Sequence, residues 1–446
     1  MATLTERLAH RVLRPLDPGL RARAARHVLD WVGCSTGALR DPLAVTLGAL
    51  AQESSTGPCS AFGMGPRGAD AALLRNGALG SLLEMDDVHR TAILHPGPIV
   101  IPAALAAAQA RGADAGAFLD AVVRGYEATI RIGRALGPSH YRFWHSTSTA
   151  GAFGAAAATG AILGLDAEAL ADAFGTAGIR AGALWQLRHE PVPTKALANA
   201  DAARAGWLAA TLAARGVRGP RAVLEGPQGL FAATAPQADA GGLDAEEAGW
   251  LIEQVSFKPW PACRHAHPAI DALRRALGGA RDPATVTRIE IATYADALRF
   301  CDQPTPRTEL AAKFSLQHCA ALAVVHGAPR LEHFLPQTLD ADPLPALRAR
   351  VKVSEHAGLS SRFPAHYGAR VRVLLRDGAV LEGTADDAWG DPEWPLDETA
   401  LVEKARTLMA WGGVDDAAAA RLVNAALDLA HGGSLEHFSA ALAASP

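Results

Sequence analysis

Over the first 265 residues, apolar positions recur at helical spacing in a chain dominated by Ala, Leu, Arg and Glu, with few β-branched runs. The pattern predicts helices over 18–38, 70–86, 98–111, 115–136, 148–163, 167–175 and 198–215, the last stopped by Gly216. After residue 280 the period changes. Val286, Ile289 and Ile291 mark one strand, and Val351 and Val353 flank Lys352 in a second. Val371 and Val373 then alternate with Arg370 and Arg372, and Arg376-Asp377-Gly378 breaks the run before Val380 and Leu381, a hairpin signal. Helices at 268–278 and 311–326 interleave with these strands, and helices return at 397–411 and 416–431. A mainly α protein is expected: a large helical domain built from both chain ends, residues 1–265 and 397–446, with a smaller α+β domain, residues 266–396, inserted.

Composition narrows the function. The chain has 446 residues, 49% hydrophobic, with net charge −4 and mixed signs throughout. No basic tract or paired zinc ligands occur, so nucleic acid is not an expected partner. Met1 to Leu16 lacks a signal-peptide core, and no strongly apolar stretch reaches about 18 residues, so no membrane span is expected. The run Ala150–Leu163 is short and punctuated by glycine, which suits a buried helix. The five cysteines, Cys34, Cys59, Cys263, Cys301 and Cys319, are odd in number and scattered. A disulfide framework is not expected, and a reducing, cytoplasmic setting is.

Four segments carry candidate chemistry. In Glu84-Met85-Asp86-Asp87-Val88-His89-Arg90 and the following His95-Pro96-Gly97-Pro98, carboxylates and histidines adjoin an apolar helix. On a helix ending near Asp87, Glu84 and Asp87 would share a face. Two prolines and a glycine would then force a turn that leaves His95 just before the next helix. A solvated acidic helix end with a surface histidine has the same appearance. In Arg142-Phe143-Trp144-His145-Ser146-Thr147-Ser148-Thr149, the hydroxyls suit a helix N-cap, and with His145 they also suit a carboxylate. Thr194-Lys195 precedes a helix, where a lysine is usually solvated but can instead neutralise an enolate. Finally, Cys263-Arg264-His265-Ala266-His267-Pro268 has superficial metal-ligand spacing without the second ligand pair of a structural zinc site. No phosphate loop, dinucleotide fingerprint or nucleophile elbow is present, which leaves histidine, lysine and carboxylate chemistry without a cofactor or metal.

These segments, in this order, resemble the MmgE/PrpD family, which includes 2-methylcitrate dehydratase, cis-aconitate decarboxylase and iminodisuccinate epimerase. Further matching phrases are Gly125-Tyr126-Glu127, Arg131-Ile132-Gly133-Arg134, Ala150-Gly151-Ala152-Phe153-Gly154, Leu224-Glu225-Gly226, Phe257-Lys258-Pro259 and Ala312-Lys313-Phe314-Ser315. The resemblance spans about residues 5 to 430. It implies an all-helical domain plus an α+β lid, an active site between them, a homodimer and no required cofactor. It places His95, His145, Lys195 and His267 at the family's active-site positions, with Asp86 and Asp87 as its acidic pair. The sequence departs at Glu84, where many members have Asp, at Val88, where some have Thr, and after His95-Pro96, where a Ser is common. Methylcitrate dehydratases continue there with an acidic residue and an Asn, so 2-methylcitrate is disfavoured.

The expected chemistry is proton transfer at a carbon next to a carboxylate, with Asp86, His95, His145, Lys195 and His267 as catalytic candidates. Asp87, His89, Arg142, Arg264 and Thr194 are candidates for binding substrate. A lyase on a small di- or tricarboxylate ranks first, chiefly of the dehydratase type with decarboxylation behind it, and an epimerase of an iminodisuccinate-like substrate second. A non-catalytic small-molecule binder and a metal hydrolase using Asp86, Asp87, His89 and His95 stand as readings of other classes.

Overall fold

The computed structural model describes every residue except Met1, His189, Pro191, Ala248, Ser445 and Pro446, with Arg188 described through its backbone alone. The chain divides into two compact units, Met1–Val255 with Asp397–Pro446, and Ser256–Leu396. The protein is mainly helical, with twenty α-helices and six short strands among the described residues.

In the first unit, the helix Ser146–Ile162 is buried at every position from Ser146 to Gly160. It packs against Ala115–Tyr141, Gly97–Arg111 and Thr194–Ala213. Small side chains make this possible. A Cβ on Gly206 would stand 2.3 Å from the Ala152 carbonyl oxygen, so the two backbones touch where that glycine lies. Asp114 and Asp166 cap the helices that follow them by accepting from the N–H groups of Ala117 and Ala169.

Two sequence expectations change here. The helix expected over 70–86 runs only Ala69–Leu79. Gly80 ends it in a space where a Cβ would meet the Trp31 ring at 2.8 Å, and turns carry the chain onward. Glu84 therefore sits in a left-handed backbone conformation (φ 58°) and shares no helix face with Asp87. The helix expected over 98–111 forms as Gly97–Arg111, with Pro98 in its first turn, where a missing N–H leaves no bond unmade. The 115–136 helix continues through a kink at Gly137 to Tyr141. A small hairpin of β1 (Cys59–Ala61) and β2 (Met64–Arg67) also belongs to this unit.

The second unit is a four-stranded sheet with helices. β3 (Val286–Thr293) pairs parallel with β4 (Val351–Glu355) and antiparallel with β5 (Ala369–Leu375), which pairs with β6 (Val380–Ala385) across the Asp377-Gly378 turn. Ile289, Ile291, Val371 and Val373 are buried, and the helix His267–Leu277 packs on β5 and β6. Among the described residues, no helix is long and apolar enough to cross a membrane.

The contact at Gly206 has a measurable consequence. Gly206→Ala forces a methyl into the Ala152 carbonyl and is expected to cost about 1–3 kcal/mol, lowering the thermal midpoint followed by circular dichroism. An unchanged midpoint would show that the two helices separate without penalty.

Candidate active site

Asp87 is the anchor of the first unit's polar interior. Its Oδ2 accepts from the Tyr126 hydroxyl at 2.6 Å and lies 2.8 Å from His27 Nδ1, and its Oδ1 accepts from the Gly97 N–H at 3.0 Å. Burial pushes the Asp87 carboxyl up to about 6, against the lowering effect of the Tyr126 and Gly97 hydrogen bonds. Burial, followed by the charge of Arg23, holds His27 well below its ordinary value, so a neutral ring donates to the carboxylate. Lys404 Nζ donates to Asp30 Oδ1 at 2.5 Å and to the Met85 carbonyl at 2.7 Å, fixing the main chain one residue before Asp86.

Two imidazoles stand beside this anchor. His95 Nδ1 lies 2.7 Å from the Asp87 carbonyl oxygen and 3.2 Å from Asp86 Oδ2. A carbonyl only accepts, so Nδ1 carries the hydrogen and the lone pair of the neutral ring is on Nε2. His145, immediately before Ser146–Ile162, places Nδ1 2.7 Å from Ser148 Oγ and its ring against Trp185. Burial pushes His145 well below its ordinary value, with the charges of Lys195 and His95 adding to the effect, so the ring is neutral at pH 7. Lys195 is the second residue of the helix Thr194–Ala213 and pairs with Glu84 Oε1. The left-handed backbone at Glu84 is costly for a residue with a side chain, and it is the conformation in which Glu84 meets Lys195.

The hydroxyls after His145 do not cap the helix through their side chains. They are buried in its first turn and serve the histidines. Thr147 Oγ1 accepts from the His95 N–H at 3.2 Å, Ser148 holds His145, and Thr149 Oγ1 lies 3.0 Å from His140 Nε2. His145 is itself only 2% exposed, although it stands at a helix start.

Other candidates lie elsewhere. His89 is buried, its Nδ1 accepts from the Ala92 N–H at 3.2 Å, and burial with Arg134 and Arg90 keeps it neutral. Arg142 is exposed, over the Phe143 ring at 5.1 Å, and Thr194 is exposed. In the second unit, His267 is fully buried. Its Nε2 lies 3.1 Å from the Ala262 carbonyl and its Nδ1 3.3 Å from Arg264 Nη1, so both nitrogens are engaged. Arg264 also pairs with Asp391. His265 stacks on Phe300 and Tyr367, and burial lowers it to about 3. Among the described residues, the side chains close enough to share one metal ion are His366, Asp387 and Glu393, and the set Asp86, Asp87, His89 and His95 does not converge in that way. His27, Tyr126, Asn199 and Lys404 were not assigned from sequence. Tyr126 alone had a local signal, in Gly125-Tyr126-Glu127.

Residues 3–242 match the MmgE/PrpD N-terminal domain, and residues 260–429 match the MmgE/PrpD C-terminal domain. The chain is 28% identical to the cis-aconitate decarboxylase-like protein oryM of Aspergillus oryzae, over 94% of this chain and 92% of that protein. It is 26% identical to cis-aconitate decarboxylase of Aspergillus terreus, over 88% and 85%. With the Homo sapiens cis-aconitate decarboxylase it shares 27% identity over 61% of this chain and 58% of that protein.

The raised Asp87 carboxyl makes stability depend on pH. The folded state holds its proton up to about pH 6 and the unfolded chain only to about 4, so this group's contribution is present below pH 4 and lost as pH rises through 6. Between pH 4 and pH 7, the wild type is expected to lose roughly 3 kcal/mol relative to Asp87→Asn. Denaturant unfolding of both proteins at the two pH values checks this, and parallel behaviour would refute it.

Proposed function

The chain belongs to the MmgE/PrpD family, and on that premise we propose that it is a lyase acting without a cofactor on a small polycarboxylate of the cis-aconitate class, with loss of CO₂. The observation that carries this reading is the shared commitment of two imidazoles. His95 donates through Nδ1 to the Asp87 carbonyl and so presents the Nε2 lone pair, His145 meets Ser148 through Nδ1 and presents its Nε2 edge, and Lys195 supplies a cation close enough to act on His145.

In cis-aconitate a carboxylated methylene is attached to an alkene carbon. Cleavage of the bond to that carboxylate releases CO₂, and its electron pair forms a new methylene double bond. The former alkene pair moves to the carbon beside the remaining terminal carboxylate, as an enolate-like anion. A proton delivered there completes a methylene dicarboxylate, and water reprotonates the donor. Lys195 offsets the developing negative charge, the role of a fixed cation in such a site. His95 is the proton donor, because the Asp86 carboxylate 3.2 Å from Nδ1 offsets the charge of its imidazolium. His145, buried and neutral, accepts a hydrogen bond through its Nε2 lone pair and so orients the water that reprotonates the donor. Arg264 and His267 act on each other as positioning groups, since both nitrogens of His267 are engaged. Decarboxylation moves ahead of dehydration, the outcome ranked first from sequence, because two of the relatives reported above are cis-aconitate decarboxylases and the third is cis-aconitate decarboxylase-like.

Proton NMR with cis-aconitate in D₂O tests this reading. CO₂ release with deuterium at the saturated carbon of the product is expected. Water addition or a new diastereomer would move the chain to the dehydratase or epimerase class, and ligand-induced thermal shift without turnover would make it a binder. Lys195→Ala and His95→Gln are each expected to lower kcat by about 10²-fold or more with unchanged circular dichroism. Wild-type turnover in either variant rules out its role.

A further inference from the structure

A chain of buried side chains runs inward from His145. Ser81, Ser148, Asn199 and His145 are each no more than 3% exposed. Ser81 Oγ lies 3.4 Å from the Ala78 carbonyl, Asn199 Nδ2 lies 3.0 Å from Ser81 Oγ, Ser148 Oγ lies 3.2 Å from Asn199 Oδ1, and His145 Nδ1 lies 2.7 Å from Ser148 Oγ. Each link has a direction. The Ala78 carbonyl only accepts, so the Ser81 hydroxyl proton points to it, and the Ser81 oxygen receives the Asn199 amide N–H. That orientation turns Asn199 Oδ1 to Ser148, whose hydroxyl proton it accepts. The Ser148 oxygen then has only lone pairs for His145, and Nδ1 must bring the proton.

We propose that Ser81, Asn199 and Ser148 are positioning residues that set the tautomer of His145, ordering its proton onto Nδ1 so that Nε2 presents a lone pair. Nothing touching His145 Nδ1 other than Ser148 is needed for this, and Ser148 alone does not achieve it. A serine hydroxyl donates or accepts with equal ease, so the decision is made by Asn199, 51 residues further along the chain. The Ala78 carbonyl, in the helix Ala69–Leu79, is the end of the chain that breaks the symmetry. The inference deepens the reading of His145 as part of a proton-exchanging site and rests on that reading for its functional meaning, though the tautomer itself does not.

The experiment is ¹⁵N NMR of the full-length protein labelled at histidine, with the His145 signals identified by their loss in His145→Gln. The wild type is expected to show a protonated Nδ1 and an unprotonated Nε2. Asn199→Leu removes the acceptor for Ser148, whose hydroxyl then turns to donate to Nδ1, and the His145 proton is expected to move to Nε2. Asn199→Asp keeps an acceptor facing Ser148 and is expected to retain the wild-type tautomer. A wild-type Nε2–H, or an Asn199→Leu spectrum that matches the wild type, overturns the proposal. Should Asn199→Leu fail to fold, the wild-type and Asn199→Asp spectra still decide it. With cis-aconitate as the probe, Asn199→Leu is expected to lower kcat by about 10²–10⁴-fold, the scale of a wrong catalytic tautomer, with KM changed far less and Asn199→Asp recovering most of the loss. Absence of wild-type turnover on cis-aconitate counts against the functional reading alone, because the spectra are recorded without substrate.

Discussion

A carboxylate removed from water must be surrounded by donors, and Asp87 imposes that requirement on the whole first unit. Three helices meet it. Leu20–Gly37 brings His27, Ala115–Tyr141 brings Tyr126, and Gly97–Arg111 offers its first backbone N–H. The same residue's main-chain carbonyl oxygen then holds His95 through Nδ1, so one residue ties the helices with its side chain and orients an imidazole with its backbone.

Around this anchor the polar interior is arranged by charge state. His27, His89 and His145 are buried and neutral, so each behaves as a directional donor and acceptor in place of a cation. The cations are placed separately. Lys404 meets Asp30 and the Met85 carbonyl behind the acidic pair, and Lys195 meets Glu84 in front of it. The two lysines, one buried and one partly exposed, thus neutralise different carboxylates.

The sequence was most legible where one period runs long. The helices at 97–111, 146–162 and 194–213, and the hairpin at Asp377-Gly378, follow directly from spacing and turn residues. Short helices such as Leu4–Val12, Pro42–Gln52 and Leu435–Ala443 escaped because so few turns give little periodic signal. The acidic stretch was found, but its backbone was not. Glu84 is held left-handed next to a lysine 111 residues away, and no local rule encodes that. His27 and Lys404 looked like ordinary polar positions on amphipathic helices, since burial of a lysine is decided by a partner 374 residues distant. The composition of the hydroxyls after His145 suits a cap, whereas Thr147 accepts from the His95 main-chain N–H, Ser148 meets the His145 ring and Thr149 the His140 ring.

Lys404 lies in Glu398–Gly412, which is translated only after all of Ser256–Leu396 has been made. Asp30 and the Met85 carbonyl are synthesised early and wait for their cation through that whole interval. Domains ordinarily fold in the order they leave the ribosome, but here the first unit is a closing clasp whose tongue arrives last. A nascent chain therefore carries an unfinished acidic interior, and the first unit matures at the end of synthesis. A nonsense codon near the 3′ end of the message would yield a long polypeptide with nearly all of its site residues and no means of seating them.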